Sequence, residues 1–339
     1  MLRDYLETIL GGEDLSRREA EYAMEMIITG RAAETQVAAF LAALRLKGET
    51  AAEITGFAET MRRHATTLPY SGTDLVDTCG TGGDKKATFN VSTTTAFVLA
   101  GGNVRVAKHG NRGVSSPCGS ADVLAALNVA IDLPPEQVSQ AIQSIGIGFL
   151  FAPRFHPAMG NVAKLRRELG TRTVFNLLGP LTNPAGAPRQ LLGVYDRRLT
   201  VKLAQVLLSL GVEHALVIHS HDGMDEISSR SPSYIVEVKA GQIMEYEIDP
   251  LDYGFSPDAA EYQGGSAAEN AALLVRILEG EEGPCRDIVL LNAAAGFIVS
   301  GKALDFSEGL QLAKQSIDSG AALSKLRDLQ AFSRSGCAS

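Results

Sequence analysis

The chain lacks the marks of several protein classes. No apolar run approaches the roughly 20 residues that cross a bilayer, and the opening MLRDYLETIL has no charged-then-apolar plan of a secretory signal. A soluble, cytoplasmic protein with no membrane partner is therefore expected. Cysteine is scarce: Cys79, Cys118, Cys285 and Cys337 stand far apart, with no CxxC pair and no His/Cys spacing that implies structural zinc. That pattern fits a reduced intracellular chain. A basic surplus is missing as well. Net charge −8 and a pI near 5.4 argue against a nucleic-acid partner, although a few local cations suffice for a small anionic ligand. There is no internal repeat and no long low-complexity linker.

What the sequence does contain is core. Of 339 residues, 45% are hydrophobic, and a chain of this length predicts two domains. Residues 1–70 carry helix signals only. Ser16-Arg17-Arg18-Glu19 and Thr50-Ala51-Ala52-Glu53 have capping-box spacing. Val37, Phe40, Leu41 and Leu44 form one helical face, and Ile54, Phe57, Ala58 and Met61 repeat it. About four short helices are expected, their leftover apolar surface serving either a subunit interface or the chain's own core.

From Leu75 short apolar runs alternate with helical segments, the form of an α/β domain with a largely parallel central sheet. Strands are expected at 75–78, 104–107, 147–152, 191–195 and 215–219, with a hairpin of 234–238 and 243–248 around Ala240-Gly241. Helices are expected to begin near Val91, Ser120, Pro135, Pro157 and Leu199, and to close the chain around 267–278, 287–300 and 308–319.

Two polar loops follow such strands. The first, Cys79-Gly80-Thr81-Gly82-Gly83-Asp84, is either a tight turn or a cradle in which glycines bring backbone amides close to an anion. Asp84 suits ribose hydroxyls or the turn itself. The second, 108–120, packs Lys108, His109, Asn111 and Arg112 together, with Ser115, Ser116 and Ser120 after them. Lys108 suits a phosphate as a point charge, and Arg112 suits an anion or a brace for the loop. Two loops of this kind suggest a ligand with more than one phosphate. Between them, Thr88-Phe89-Asn90-Val91-Ser92-Thr93 opens a helix, where Asn90 or Ser92 caps the helix or the amides meet an anion. Asp222-Gly223-Met224-Asp225-Glu226 is either an exposed acidic turn or a Mg²⁺ site shared with substrate phosphates. In 154–184, an arginine such as Arg166 or Arg167 facing the site suits a substrate carboxylate.

The motifs DTCGTGGD at 77–84, TFNVST at 88–93, KHGNR at 108–112, GSAD at 119–122, RRELGTRTVFNLLGPLTNP at 166–184 and DGMDE at 222–226 together resemble one family, the anthranilate phosphoribosyltransferases of tryptophan biosynthesis. The resemblance covers the whole chain in order and spacing. It implies a nucleoside-phosphorylase-like fold: a small helical domain (1–70, with a contribution from about 163–190) and a larger α/β domain (71–162 and 191–339). It implies a homodimer through the helical domain, and Mg²⁺-dependent transfer of phosphoribosyl from 5-phosphoribosyl 1-diphosphate to anthranilate. Carried over, Gly80, Gly83, Asp84, Thr88, Asn90, Val91, Ser92, Thr93, Lys108, His109, Gly110, Asn111, Arg112, Gly113, Val114, Ser115, Ser116 and Ser120 hold the donor. Ser92, Asp225 and Glu226 hold the metal. Gly80, Asn111, Arg166, His156 and Pro180 meet anthranilate, with Lys108, His109 and Arg166 as the catalytic set. Two positions depart from the family: Lys85 replaces a usual glycine and is strained if φ there is positive, and Pro117-Cys118 replaces a basic-then-serine pair. A pyrimidine nucleoside phosphorylase and a non-catalytic nucleic-acid-binding relative are the competing readings.

Overall fold

The computed structural model describes residues 1–113, 117–256 and 262–336. Four helices open the chain, as expected: α1 (Leu2–Leu10), α2 (Arg17–Ile28), α3 (Glu34–Lys47) and α4 (Ala51–Arg63). Both capping boxes are formed, Ser16 with Glu19 and Thr50 with Glu53. Gly48 stops α3 at φ +88, where a side chain would be strained.

The remainder alternates. In chain order it gives β1 (Leu75–Gly80), α5 (Val91–Gly101), β2 (Arg105–Gly110), α6 (Ser120–Ala126), α7 (Pro135–Ser144), β3 (Ile147–Phe151), α8 (Ala152–Phe155), α9 (Gly160–Leu169) and α10 (Phe175–Leu181). Then come β4 (Arg189–Gly193), α11 (Thr200–Ser209), β5 (His214–Ser220), β6 (Ser233–Lys239) and β7 (Gln242–Ile248). Helices α12 (Ala267–Leu278), α13 (Pro284–Ser300), α14 (Phe306–Asp318) and α15 (Ala321–Gly336) complete the described chain. Against expectation, Pro157 starts a 3₁₀ turn ahead of α9, β4 spans 189–193 rather than 191–195, and α15 adds a final helix.

The strands form one sheet in the order β3-β2-β1-β4-β5-β6-β7. The first five are parallel, and β6 and β7 are antiparallel additions. Alternating side chains bury both faces. Leu191, Leu216, Ile218 and Ile235 meet the cluster under α5 and α12–α15, whereas Leu192, Val217, Val236 and Val238 meet the cluster shared with α1–α4 and α9–α11. Chain order reverses between β1 and β4, and ligands of open α/β sheets bind outside the carboxyl ends of strands at such a switch point.

Candidate active site

β1 delivers Gly80 and then the first loop to this switch point. Thr81 N donates to Gly193 O at 2.9 Å, and Tyr195 N donates to Thr81 Oγ1 at 3.1 Å, so the loop is sewn to the end of β4. Gly82 and Gly83 sit at φ +63 and +83, which explains the glycine pair. Lys85 lies at φ +63 and is therefore strained as the departure implied, with Ala87 beside it at +51. Thr88 pairs with Gln263 in an isolated antiparallel bridge.

The second stretch corrects a boundary. Lys108, His109 and Gly110 are strand residues rather than loop, because β2 continues in parallel register against Phe149, Leu150 and Phe151. Strand alternation then sends Lys108 and His109 to opposite faces. Lys108 is buried, its Nζ donating to Thr78 O at 2.5 Å and to Ser92 Oγ at 3.2 Å. Burial lowers its pKa, against the pull of Asp77. His109 donates from Nδ1 to Gly179 O at 3.2 Å, which leaves a buried Nε2 without a partner. Asp77 Oδ1 accepts from the His109 amide at 3.2 Å. Past the strand, Asp122 organises the turn: it pairs with Arg112 at 2.9 Å and accepts from the amides of Gly113 and Gly119 at 2.8 and 3.0 Å. Arg112 thus braces the loop. Ser120 Oγ donates to Asn111 O at 3.3 Å, and a Cβ on Gly110 would fall 2.1 Å from that hydroxyl. Val114, Ser115 and Ser116 lie outside the described residues.

Of the two readings for the start of α5, the side-chain cap is absent. Asn90 occupies the cap position, but its amide donates to Cys118 O at 3.3 Å and its oxygen accepts from Asn270 at 3.1 Å. Ser92 Oγ serves Lys108 instead. Val91 and Thr93 are buried beside it, and Thr93 Oγ1 has no partner.

Across from α5, the turn after β5 presents two carboxylates. Asp225 Oδ2 accepts from Gly82 N at 2.8 Å. Burial and the neighbouring Asp84 push Asp225 up to about 7. Burial, then the charge of Asp225, raise Glu226 well above the carboxylate range, opposed by Lys108 and by the Ser92 amide. A Cβ on Gly80 would lie 2.7 Å from Asp225 Oδ2, and one on Gly193 would lie 1.5 Å from Asp225 O. Asp222 is spent on the turn itself, accepting from Met224 N and Ser228 Oγ at 3.2 and 2.8 Å. Asp84 keeps a buried Oδ2 without a partner. Ribose hydroxyls or the turn itself were the two readings for Asp84; its Oδ1 does accept from the Lys86 amide at 3.1 Å within the turn, and no local signal announced that it would also face Asp225. Among the described residues no three His, Cys, Asp or Glu side chains form a complete metal-ligand set. Crowded carboxylates held above their ordinary pKa, with an orphaned oxygen beside them, do fit Mg²⁺, which takes one or two protein carboxylates and completes its shell with phosphate and water.

The other face of β2 is built by the arm running from α9 to α10. Val162 and Leu165 anchor α9 in the core and leave Arg166 half-buried, its guanidinium 5.2 Å from the Phe175 ring centroid. Burial lowers its pKa, and no carboxylate pairs with it among the described residues. The rings of His109 and His156 lie 5.2 Å apart, each with a buried, partnerless Nε2. Burial pushes the two down to about 3 and about 4, so both are neutral near pH 7. Pro180 sits inside α10, its carbonyl taken by Gln190 at 2.6 Å. Arg166, over the Phe175 ring and with no carboxylate paired to it among the described residues, has the chemistry to take a planar carboxylate.

Residues 72–323 match the glycosyl transferase family a/b domain, and residues 3–65 match the helical bundle domain of the same family. An anthranilate phosphoribosyltransferase of Moorella thermoacetica is 52% identical over 339 residues, covering 100% of both chains. The crystal structure of anthranilate phosphoribosyltransferase from Thermus thermophilus superposes with a TM-score of 0.91 at 44% identity, covering 97% of this chain and 99% of that one. The Saccharomyces cerevisiae enzyme in complex with PRPP and Mg gives 0.90 at 28% identity, covering 98% of each. With this geometry and these matches, the chain belongs to the anthranilate phosphoribosyltransferase family of glycosyltransferases.

Proposed function

We propose that the chain transfers the 5-phosphoribosyl group of 5-phosphoribosyl 1-diphosphate to the amine of anthranilate, releasing diphosphate. The observation that carries this reading is the division of groups across β2: the orphaned imidazoles of His109 and His156 on one side, and Lys108 with Ser92 and the glycine loop held by Asp225 on the other.

The aromatic amine is a weak nucleophile, so the reaction depends on making ribose C1 electrophilic. Ser92, Asp225 and Glu226 are the residues to hold Mg²⁺, which when bound supplies charge neutralisation for the departing diphosphate. Lys108 adds a fixed cation, and the amides of the first loop and of α5 add dipoles that need no reorganisation. Gly80, Gly83, Asp84, Thr88, Asn90 to Thr93 and Gly110 to Gly113 line the donor side, with Ser120. Arg166 clamps the anthranilate carboxylate, and Asn111, His156 and Pro180 border the ring, supplying orientation. Neutral His109 assists by accepting a hydrogen bond, and no side chain is needed as a strong base. The division into a helical domain of 1–70 with 163–190, and dimerisation through it, belong to the same proposal. The test is loss of anthranilate fluorescence on mixing with phosphoribosyl diphosphate and Mg²⁺; unchanged fluorescence would refute the assignment.

A further inference from the structure

We infer that Arg172 is a positioning residue for the donor loop, a role that rests on the transferase reading. Arg172 lies on the turn between α9 and α10, in the arm that carries Arg166 before it and Gly179-Pro180 after it. Its guanidinium Nη2 donates to the carbonyl of Gly83, while its Cζ lies over the Tyr195 ring, 4.1 Å from the centroid. Tyr195 is itself bonded through its amide to Thr81 Oγ1 in the same loop. From the other direction, Arg45 in the last turn of α3 donates to the Arg172 carbonyl at 2.9 Å and to the Thr171 hydroxyl. One side chain therefore ties the acceptor arm, the end of β4 and the donor loop together, with α3 holding the arm's backbone.

Gly83 is shaped for this contact. It sits at φ +83, and a Cβ there would lie 2.5 Å from the guanidinium. A carbonyl engaged by a cation is held in place and its partial charge is offset, so it does not oppose a diphosphate approaching the loop amides. The same contact fixes the spacing between the loop and the arm that presents Arg166, and orientation of two substrates depends on that spacing. Lysine cannot reproduce the effect, because a point charge neither stacks nor holds a planar fork.

The experiment is steady-state kinetics in both substrates for the unaltered chain, Arg172→Lys, Arg172→Ala, Tyr195→Leu and the Arg172→Ala/Tyr195→Leu pair. Loss of one charged hydrogen bond should raise the donor KM about tenfold or more in both Arg172 variants. The pair should be no worse than Arg172→Ala alone, since the two side chains act as one unit. Millimolar guanidinium should restore Arg172→Ala, which a merely structural role does not allow. A lowered Tm with unchanged KM and no rescue would overturn the role of Arg172 while leaving the transferase reading intact; no turnover by the unaltered chain would instead remove that reading and this role with it.

Discussion

Asp225 shows how a side chain can oppose the fold that holds it. Its folded pKa of about 7 lies above the ordinary 3.8, so the folded state binds the extra proton between those values. Its contribution to stability falls as pH climbs from about 4 to about 7, and the penalty is fully present above that. Asp225→Asn should therefore raise the Tm of the metal-free protein at pH 8, by roughly 1 kcal/mol or more in stability, and do little at pH 4. The same variant should lose Mg²⁺-dependent turnover; calorimetry and the fluorescence assay read the two effects, and an active variant would remove Asp225 from the metal site. Arg166 is the complementary case, a half-buried cation with no counter-charge among the described residues. Removing it costs the fold no ion pair and only the contact with the Phe175 ring, so Arg166→Ala should lower the Tm slightly, by about 1 kcal/mol of stability at most, while the anthranilate KM rises roughly ten- to a hundredfold, the loss of charged hydrogen bonds. An unchanged KM would exclude the clamp.

At the scale of elements, the site is set by where strands end. β2 carries Lys108 and His109 on successive positions, and alternation assigns one to α5 and the other to α10. β4 contributes no side chain to the proposed site, yet its last residue leaves room for the turn that carries Asp225 and Glu226. A Cβ on Gly193 would collide with Asp225 O at 1.5 Å. Gly193→Ala should thus displace the turn that bears Asp225 and Glu226, costing about 1–3 kcal/mol of stability and lowering kcat by at least about tenfold although no side chain of the site is altered. Normal turnover with Mg²⁺ titrating at the original concentration would show that the turn tolerates the shift. The motifs at 77–84, 108–112 and 222–226 stand out in the sequence as candidate sites because glycine pairs, clustered cations and adjacent carboxylates are each unusual locally. Tyr195 and Arg172 were not, because an isolated tyrosine or arginine gives no local sign of the distant backbone it touches.

On the whole-molecule scale, the helical opening of the chain keeps apolar side chains in the open: Leu46 is 91% and Leu10 is 64% exposed. These suit a second copy of the chain. If the proposed dimer forms through this domain, Leu46→Glu should shift light scattering toward the monomer without changing the fold, since that side chain contributes nothing to the core; an unaltered mass would remove Leu46 from the proposed interface. No helix among the described residues is long and apolar enough to cross a membrane.

The sequence by itself determined the element types and the chemistry on offer. Capping boxes, 3.6- and 2-residue periodicity and glycine-rich turns act within a few residues, so they can be read without a fold. Boundaries shifted where pairing overrode local signals, as when β2 ran on through His109 because β3 supplied a register for it. The tertiary structure alone decided what meets what: Asp84 with Asp225, His109 with His156, and Arg172 with Gly83. Those pairings depend on the order of strands in the sheet, and the energies that fix that order come from burying both of its faces rather than from any local run of residues.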